Sequence, residues 1–182
     1  MTSVYTSRIL VMDLRADRIG YAAFELPMRL IDYGASRFDS LEAARARVDF
    51  LLGIFRPSAL VLRKIRIRST RRRPRWRSIL RAIQSHARGI SLLTFWVSEP
   101  ALRRFFQGFH CRNKFQVAAL LSNSFPELAS KLPPKRKPYE PEPWTMTYFD
   151  AIALGVVYLA GGEPHGWPES DGTLTPAPHQ LA

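Results

Sequence analysis

An apolar run of four residues, Ile9-Leu-Val-Met12, ending on the carboxylate of Asp13, constrains this chain more than any other stretch. Four residues are too few for a helix, so the run reads as a buried strand. The polar segment Arg15–Arg18 turns the chain, and Gly20–Leu26 returns as the second strand of a hairpin. An acid at the exposed end of a central strand is cheap to place, and it points into the crevice where open α/β sheets bind ligands. A plainer reading makes Asp13 only the residue that opens the turn.

The rest of the chain fits a single α/β domain. Met28–Tyr33 reads as a third strand after Pro27. Ser40 is an N-cap for a helix carrying Leu41, Ala44, Val48, Leu51, Leu52 and Phe55 at helical spacing, closed by Pro57. Ser58–Arg63 is a fourth strand that also runs into charge. From Arg75 onward a helix is predicted, with Trp76, Ile79, Leu80, Ile83 and Ala87 as its apolar stripe and Arg77, Arg81 and Arg88 turned elsewhere. Ser91–Val97 is a fifth strand. Ser98 and Pro100 mark a helix start, and that helix carries Leu102, Phe105 and Phe106 to Gly108. A further helix spans Phe115–Ser124, and another spans Tyr148–Ala160. Five prolines between Lys131 and Trp144 predict an extended loop, 131–145. The expected domain is 1–161, with a basic insert and helix over 63–88, followed by a flexible Gly- and Pro-rich tail, 162–182.

Charge placement narrows the function. The net charge is +12, yet from Phe50 to Ser98 there is no Asp or Glu. That block holds twelve of the 27 cations, and the remainder carries fifteen cations against fifteen acids. Arginine so confined reads as a phosphate-binding face, with DNA or RNA as the partner. An acidic protein partner is the alternative for the same surface. The apolar run Ala151–Ala160 is far below the roughly 20 residues that span a bilayer, so no membrane role is expected. Cys111 is the only cysteine, which argues against a disulfide framework or thiolate zinc site and predicts a cytoplasmic protein, and the first apolar run is short and holds Asp13, so no signal peptide is expected. No Gly-rich phosphate cradle is present, and His110-Cys111 lacks a third ligand or an orienting acid.

Taken together, the hairpin, third strand, helix, strand, helix, strand and closing helices resemble the ribonuclease-H-like fold. Within it the chain most resembles the RuvC-type Holliday-junction resolvases. Three stretches carry the resemblance: Ile9-Leu-Val-Met-Asp13 followed by Gly20-Tyr21, the segment Gly108–Leu121 with Lys114 at a helix start, and Phe149-Asp150-Ala-Ile-Ala-Leu154. The resemblance implies a mixed five-stranded sheet, its first three strands antiparallel, with helices on both faces. It also implies that Asp13 and Asp150 converge as catalytic and metal-binding acids, with magnesium or manganese as cofactor if the protein is active, and it suggests a homodimer. Phosphodiester hydrolysis needs such a cation to orient water and to neutralise the leaving oxygen, and hard cations take carboxylate oxygens.

Two positions depart from that pattern. The family places a Glu at the end of the fourth strand, where this chain has Arg63 with Lys64 beside it. It also has an acid one turn before the last-helix Asp, where Thr147 stands here. Glu99, Glu140 or Glu142 are the candidates to replace the lost oxygens. The expectation is therefore a nucleic-acid-binding protein of resolvase-like fold with an eroded metal site, in which Arg63 pairs with Asp13 or Asp150. The nucleic-acid-binding cations are Arg63, Lys64, Arg66, Arg68, Arg71, Arg72, Arg73, Arg75, Arg77, Arg81 and Lys114, with Trp76 or Tyr139 available for stacking. The alternatives are an active metal-dependent endonuclease on branched or structured DNA or RNA, and a basic structural protein docked in a larger assembly.

Overall fold

A computed structural model describes residues 7–15, 17–64, 74–137 and 139–161, the side chains of 74–77 excepted. Its centre is a five-stranded sheet of order β3-β2-β1-β4-β5. The strands are β1 (Arg8–Leu14), β2 (Arg18–Glu25), β3 (Arg29–Arg37), β4 (Ala59–Lys64) and β5 (Leu93–Ser98). The first three are antiparallel, while β4 and β5 join parallel to β1. The third strand runs four residues past the predicted Tyr33, because Gly34–Arg37 continues to pair with Arg18–Tyr21.

Side-chain alternation along β1 sorts the core into two layers. Leu10, Met12 and Leu14 pack with Leu60 and Leu62 under α1 (Leu41–Phe55) and α2 (Pro74–Gly89). Ile9 and Val11 pack with Val61 and Val97 on the other face. That face is covered by α3 (Glu99–Gln107), α4 (Lys114–Ser124) and α5 (Met146–Leu159). The caps form where the sequence places them: the Ser40 hydroxyl accepts from the Ala43 N–H, and the Ser98 hydroxyl accepts from the Ala101 N–H. Helix α4 turns Ala118, Leu121 and Ser122 into the core. The proline-rich stretch follows a short 3-10 helix, Pro126–Lys131.

Helix α5 is buried along all but Tyr158, which is how a central helix rather than a surface one reads. Small residues let it lie close on the sheet. A Cβ on Gly155 would stand 2.3 Å from the Phe24 ring, and one on Gly20 would stand 2.2 Å from the Thr147 carbonyl oxygen. Gly20 pairs with Asp13 in the β1–β2 register. The gap it leaves therefore seats the first turn of α5 beside the end of β1. Asp150 lies in the second turn of α5, not at its start as the sequence suggested.

Candidate nucleic-acid interface

The end of β1 and the end of β4 meet in register, Met12 lying beside Leu62. Asp13 and Arg63 are the next residues along, and alternation turns both toward α5. Asp13 has no exposed surface. Arg63 Nε donates to Asp13 Oδ1 at 2.8 Å, and Nη1 donates to Glu99 Oε2 at 2.5 Å. Its Nη2 lies 3.8 Å from Asp150 Oδ1. Arg15, one residue past β1, donates from Nε to Asp13 Oδ2 at 2.9 Å and from Nη2 to Asp150 Oδ2. Asp13 and Asp150 are thus brought together, bridged by the guanidinium of Arg15.

Lys114 opens α4 and completes the cluster. Its ammonium donates to Asp150 Oδ2 at 2.9 Å and to Glu142 Oε1 at 2.6 Å. Glu99 Oε1 also accepts from Arg103 Nε at 3.1 Å. Four carboxylates are therefore matched by four cations around one point at the sheet rim.

Each group responds to that matching. Burial acts to lower the affinity of Arg63 and Arg15 for their protons, but Asp13 foremost, with Asp150, overrides it and holds both above the usual arginine value. Burial pushes Glu99 up, yet Arg63, aided by Arg103 and Lys114, brings it below the ordinary glutamate value. Glu142 is held low in the same way, Lys114 outweighing burial. Asp150 is pushed upward by burial, with Lys114 pulling against it and Asp13 pushing with it.

This donor set does not fit a divalent cation. Such an ion takes carboxylate oxygens at about 2.0 to 2.6 Å. Here both Asp13 oxygens accept from guanidinium groups, and Asp150 Oδ2 accepts from Arg15 and Lys114. Among the described residues, no group of three or more His, Cys, Asp or Glu is placed to hold a metal ion.

The cations singled out from the sequence separate into three sets. Arg63 turns inward, its side chain only 12% exposed. Lys64 and Arg81 are exposed on β4 and α2, as is the Lys114 ammonium beside Asp150. Arg66, Arg68 and Arg71–Arg73 lie outside the described residues, as do the side chains of Arg75, Trp76 and Arg77. The exposed Tyr139 stands under Lys137, 5.9 Å from its ring centroid.

The structure adds cations that the sequence reading passed over. Arg18 and Arg37 lie 5.6 and 5.0 Å from the Trp144 ring centroid, beside the first turn of α5. On the other side, Arg103, Arg112 and Lys114 edge a cavity of about 300 Å³ between α3, α4 and α5, which opens at the Arg63 cluster. The signal for Arg15 was its place two residues after Asp13. Arg18, Arg37 and Trp144 carried no such signal, since 107 residues separate Arg37 from Trp144.

No protein-family model matches the chain, and no curated protein matches it. Among solved structures, Thermus thermophilus RuvC in complex with a Holliday junction substrate matches with a TM-score of 0.58 and 14% identity, over 86% of this chain and 93% of that one. A second Thermus thermophilus RuvC structure gives the same TM-score and identity over 85% and 93%. The yeast mitochondrial Holliday junction resolvase Ydc2 gives 0.53 and 14%, over 88% of this chain and 83% of its own. At that identity the likeness is one of fold. The chain has the ribonuclease-H-like, mixed-sheet fold of the RuvC-type resolvases.

Proposed function

We propose that this chain binds nucleic acid through a resolvase-like fold without cleaving it, the guanidinium of Arg63 standing where a nuclease would hold its metal. One observation carries the reading: Arg63 and Arg15 between them donate to both oxygens of the buried Asp13. Arginine stays charged at any relevant pH, so the lock does not open by deprotonation. A single positive charge spread over a plane can hold carboxylates in place, but it does not make hydroxide from water as a divalent cation does. A divalent ion entering beside Arg63 and Arg15 would meet repulsion of several kcal/mol at contact range, even at an effective dielectric constant near 20.

The binding half of the reading is supported by where the exposed cations lie. Arg103, Arg112 and Lys114 flank the cluster on one side, Arg37 and the half-buried Arg18 lie on the other beside Trp144, and Lys64 is exposed at the end of β4 next to Arg63. A polyanion crossing the sheet rim meets cations along its path.

The test pairs binding with cleavage. Mobility shifts on four-way junctions, flaps, single strands and duplexes are expected to show affinity that falls steeply as salt rises. The same substrates incubated with magnesium or manganese are expected to stay intact. Cleavage that Asp13→Asn abolishes would overturn the non-catalytic reading, and affinity indifferent to salt would overturn the binding one.

A further inference from the structure

We infer that the cavity between α3, α4 and α5 receives one unpaired nucleobase, so the preferred ligand is nucleic acid with an unstacked base rather than continuous duplex. This rests on the nucleic-acid reading above and specifies which nucleic acid that site takes.

The cavity has the two-part character such a ligand requires. Its floor is apolar and buried: Phe106, Phe149 and Ala153 are at most 2% exposed, and Leu102 and the half-buried Val117 close the sides. Its rim is polar and exposed, built from Arg103, Gln107, Arg112, Asn113 and Lys114. At about 300 Å³ it lies at the small end of ligand sites. That suits a single heterocycle with its sugar.

The hydrogen-bonding groups at the rim favour a base over a hydrocarbon tail. Asn113 uses its side-chain oxygen to cap α4, accepting from the Gln116 N–H at 3.0 Å, which leaves its amide N–H groups to donate. Among the described residues the Gln107 amide has no hydrogen-bond partner. An alkyl chain would satisfy neither, whereas base edges carry matching donors and acceptors. Proteins that read single strands combine such edges with apolar or aromatic surfaces under the ring.

The phosphate has a place as well. Lys114 has three N–H donors and gives two, to Asp150 and Glu142, leaving the third at the mouth of the cavity. Beyond Lys114 lies a second cavity of about 390 Å³, edged by Lys135, Arg136 and Lys137 and floored by the buried Pro133 beside the half-buried Phe115. A strand with its base in the first cavity would run across Lys114 onto this second basic surface. Continuous duplex keeps its bases stacked and cannot fill either floor.

Saturation-transfer NMR on the full chain tests this with the four deoxynucleoside 5′-monophosphates and with 2-deoxyribose 5-phosphate as the base-free control. The expected result is saturation concentrated on base protons and about tenfold tighter binding of at least one nucleotide than of the sugar phosphate. Val117→Phe, which fills the cavity from a half-exposed position, is expected to erase that difference while duplex binding at low salt persists. Gln107→Ala, at the exposed rim and without effect on packing, is expected to reduce it. Equal binding of nucleotide and sugar phosphate by the wild-type chain would overturn the inference, as would an unchanged preference in a folded Val117→Phe protein. Loss of the whole nucleic-acid reading looks different, for then the wild-type chain would also fail to bind duplex at low salt.

Discussion

Arg63 Nε stands 2.8 Å from Asp13 Oδ1, across two parallel strands and 50 residues of chain. The contact is a consequence of register, since residues that follow a paired Met12 and Leu62 emerge side by side at the sheet end. Removing Arg63 takes the donor from the buried Asp13 Oδ1 and leaves four clustered carboxylates with three cations. Arg63→Ala is therefore expected to destabilise the fold by about 3 to 5 kcal/mol. Asp13→Ala combined with Arg63→Ala should cost less than the two single changes together, by about 0.5 to 3 kcal/mol. Urea unfolding of all four proteins measures the coupling, and strictly additive costs would show that the pair does not act as one unit.

Gly20 and Gly53 should respond to alanine with opposite sign. A Cβ on Gly20 meets the Thr147 carbonyl oxygen at 2.2 Å, backbone against backbone, so strand or helix must move. Overpacking of this kind costs about 1 to 3 kcal/mol. Here it also pushes the first turn of α5, and with it Asp150, away from Arg15 and Lys114. Gly53 lies inside α1 with nothing within 4 Å of the added atom, so alanine there gains about 0.5 to 1 kcal/mol from helix propensity. Thermal melts of Gly20→Ala and Gly53→Ala should move in opposite directions. A neutral Gly20→Ala would mean that α5 does not rest on β2 as described.

Acid should loosen the proline-rich stretch before it unfolds the sheet. Glu142 is held below its ordinary value because Lys114 outweighs burial, so its stabilising contribution is complete above the unfolded-state value and fades as pH falls through the folded one. Asp150 runs the other way. Burial raises it, so its contribution is complete below the unfolded-state value and fades as pH rises through the folded one. Glu142→Gln removes only the first effect. Urea midpoints followed from pH 7 downward should fall less steeply for this variant below the ordinary glutamate range, near pH 4. Identical acid limbs for the two proteins would sink the role given to the Lys114–Glu142 pair.

What could be read in advance follows from the range over which each signal acts. The hairpin, the Ser40 and Ser98 caps and the stripe of Ile79, Ile83 and Ala87 are local patterns, and the structure reproduces them. That Arg63 would pair with Asp13 or Asp150 was also legible, because a buried cation at a strand end must find a counter-charge; that the hydrogen bond goes to Asp13 follows from the strand register. The Arg15 bridge to Asp150 was not, since 135 residues separate them and only the seating of α5 on Gly20 brings them together. The cavity between α3, α4 and α5 was equally hidden. Its apolar lining, Leu102, Phe106, Val117, Phe149 and Ala153, comes from three helices, and each of these residues alone reads as ordinary core.

The Arg63 lock predicts its own reversal. If a guanidinium substitutes for a metal, then Arg63→Glu combined with Arg15→Gln removes two cations and adds a carboxylate beside Asp13, Asp150 and Glu99. That set offers oxygens from four side chains to a hard cation, which is the chemistry manganese prefers. A ligand that binds only the folded state stabilises it, by about 2.7 kcal/mol at a hundred times its dissociation constant. Manganese should therefore raise the melting temperature of the double variant by several degrees and broaden its free-ion paramagnetic signal, while the wild-type chain changes in neither respect. Wild-type protein that binds manganese as the variant does would show that Arg63 and Arg15 yield to the ion, and the reading of a permanently locked site would fall.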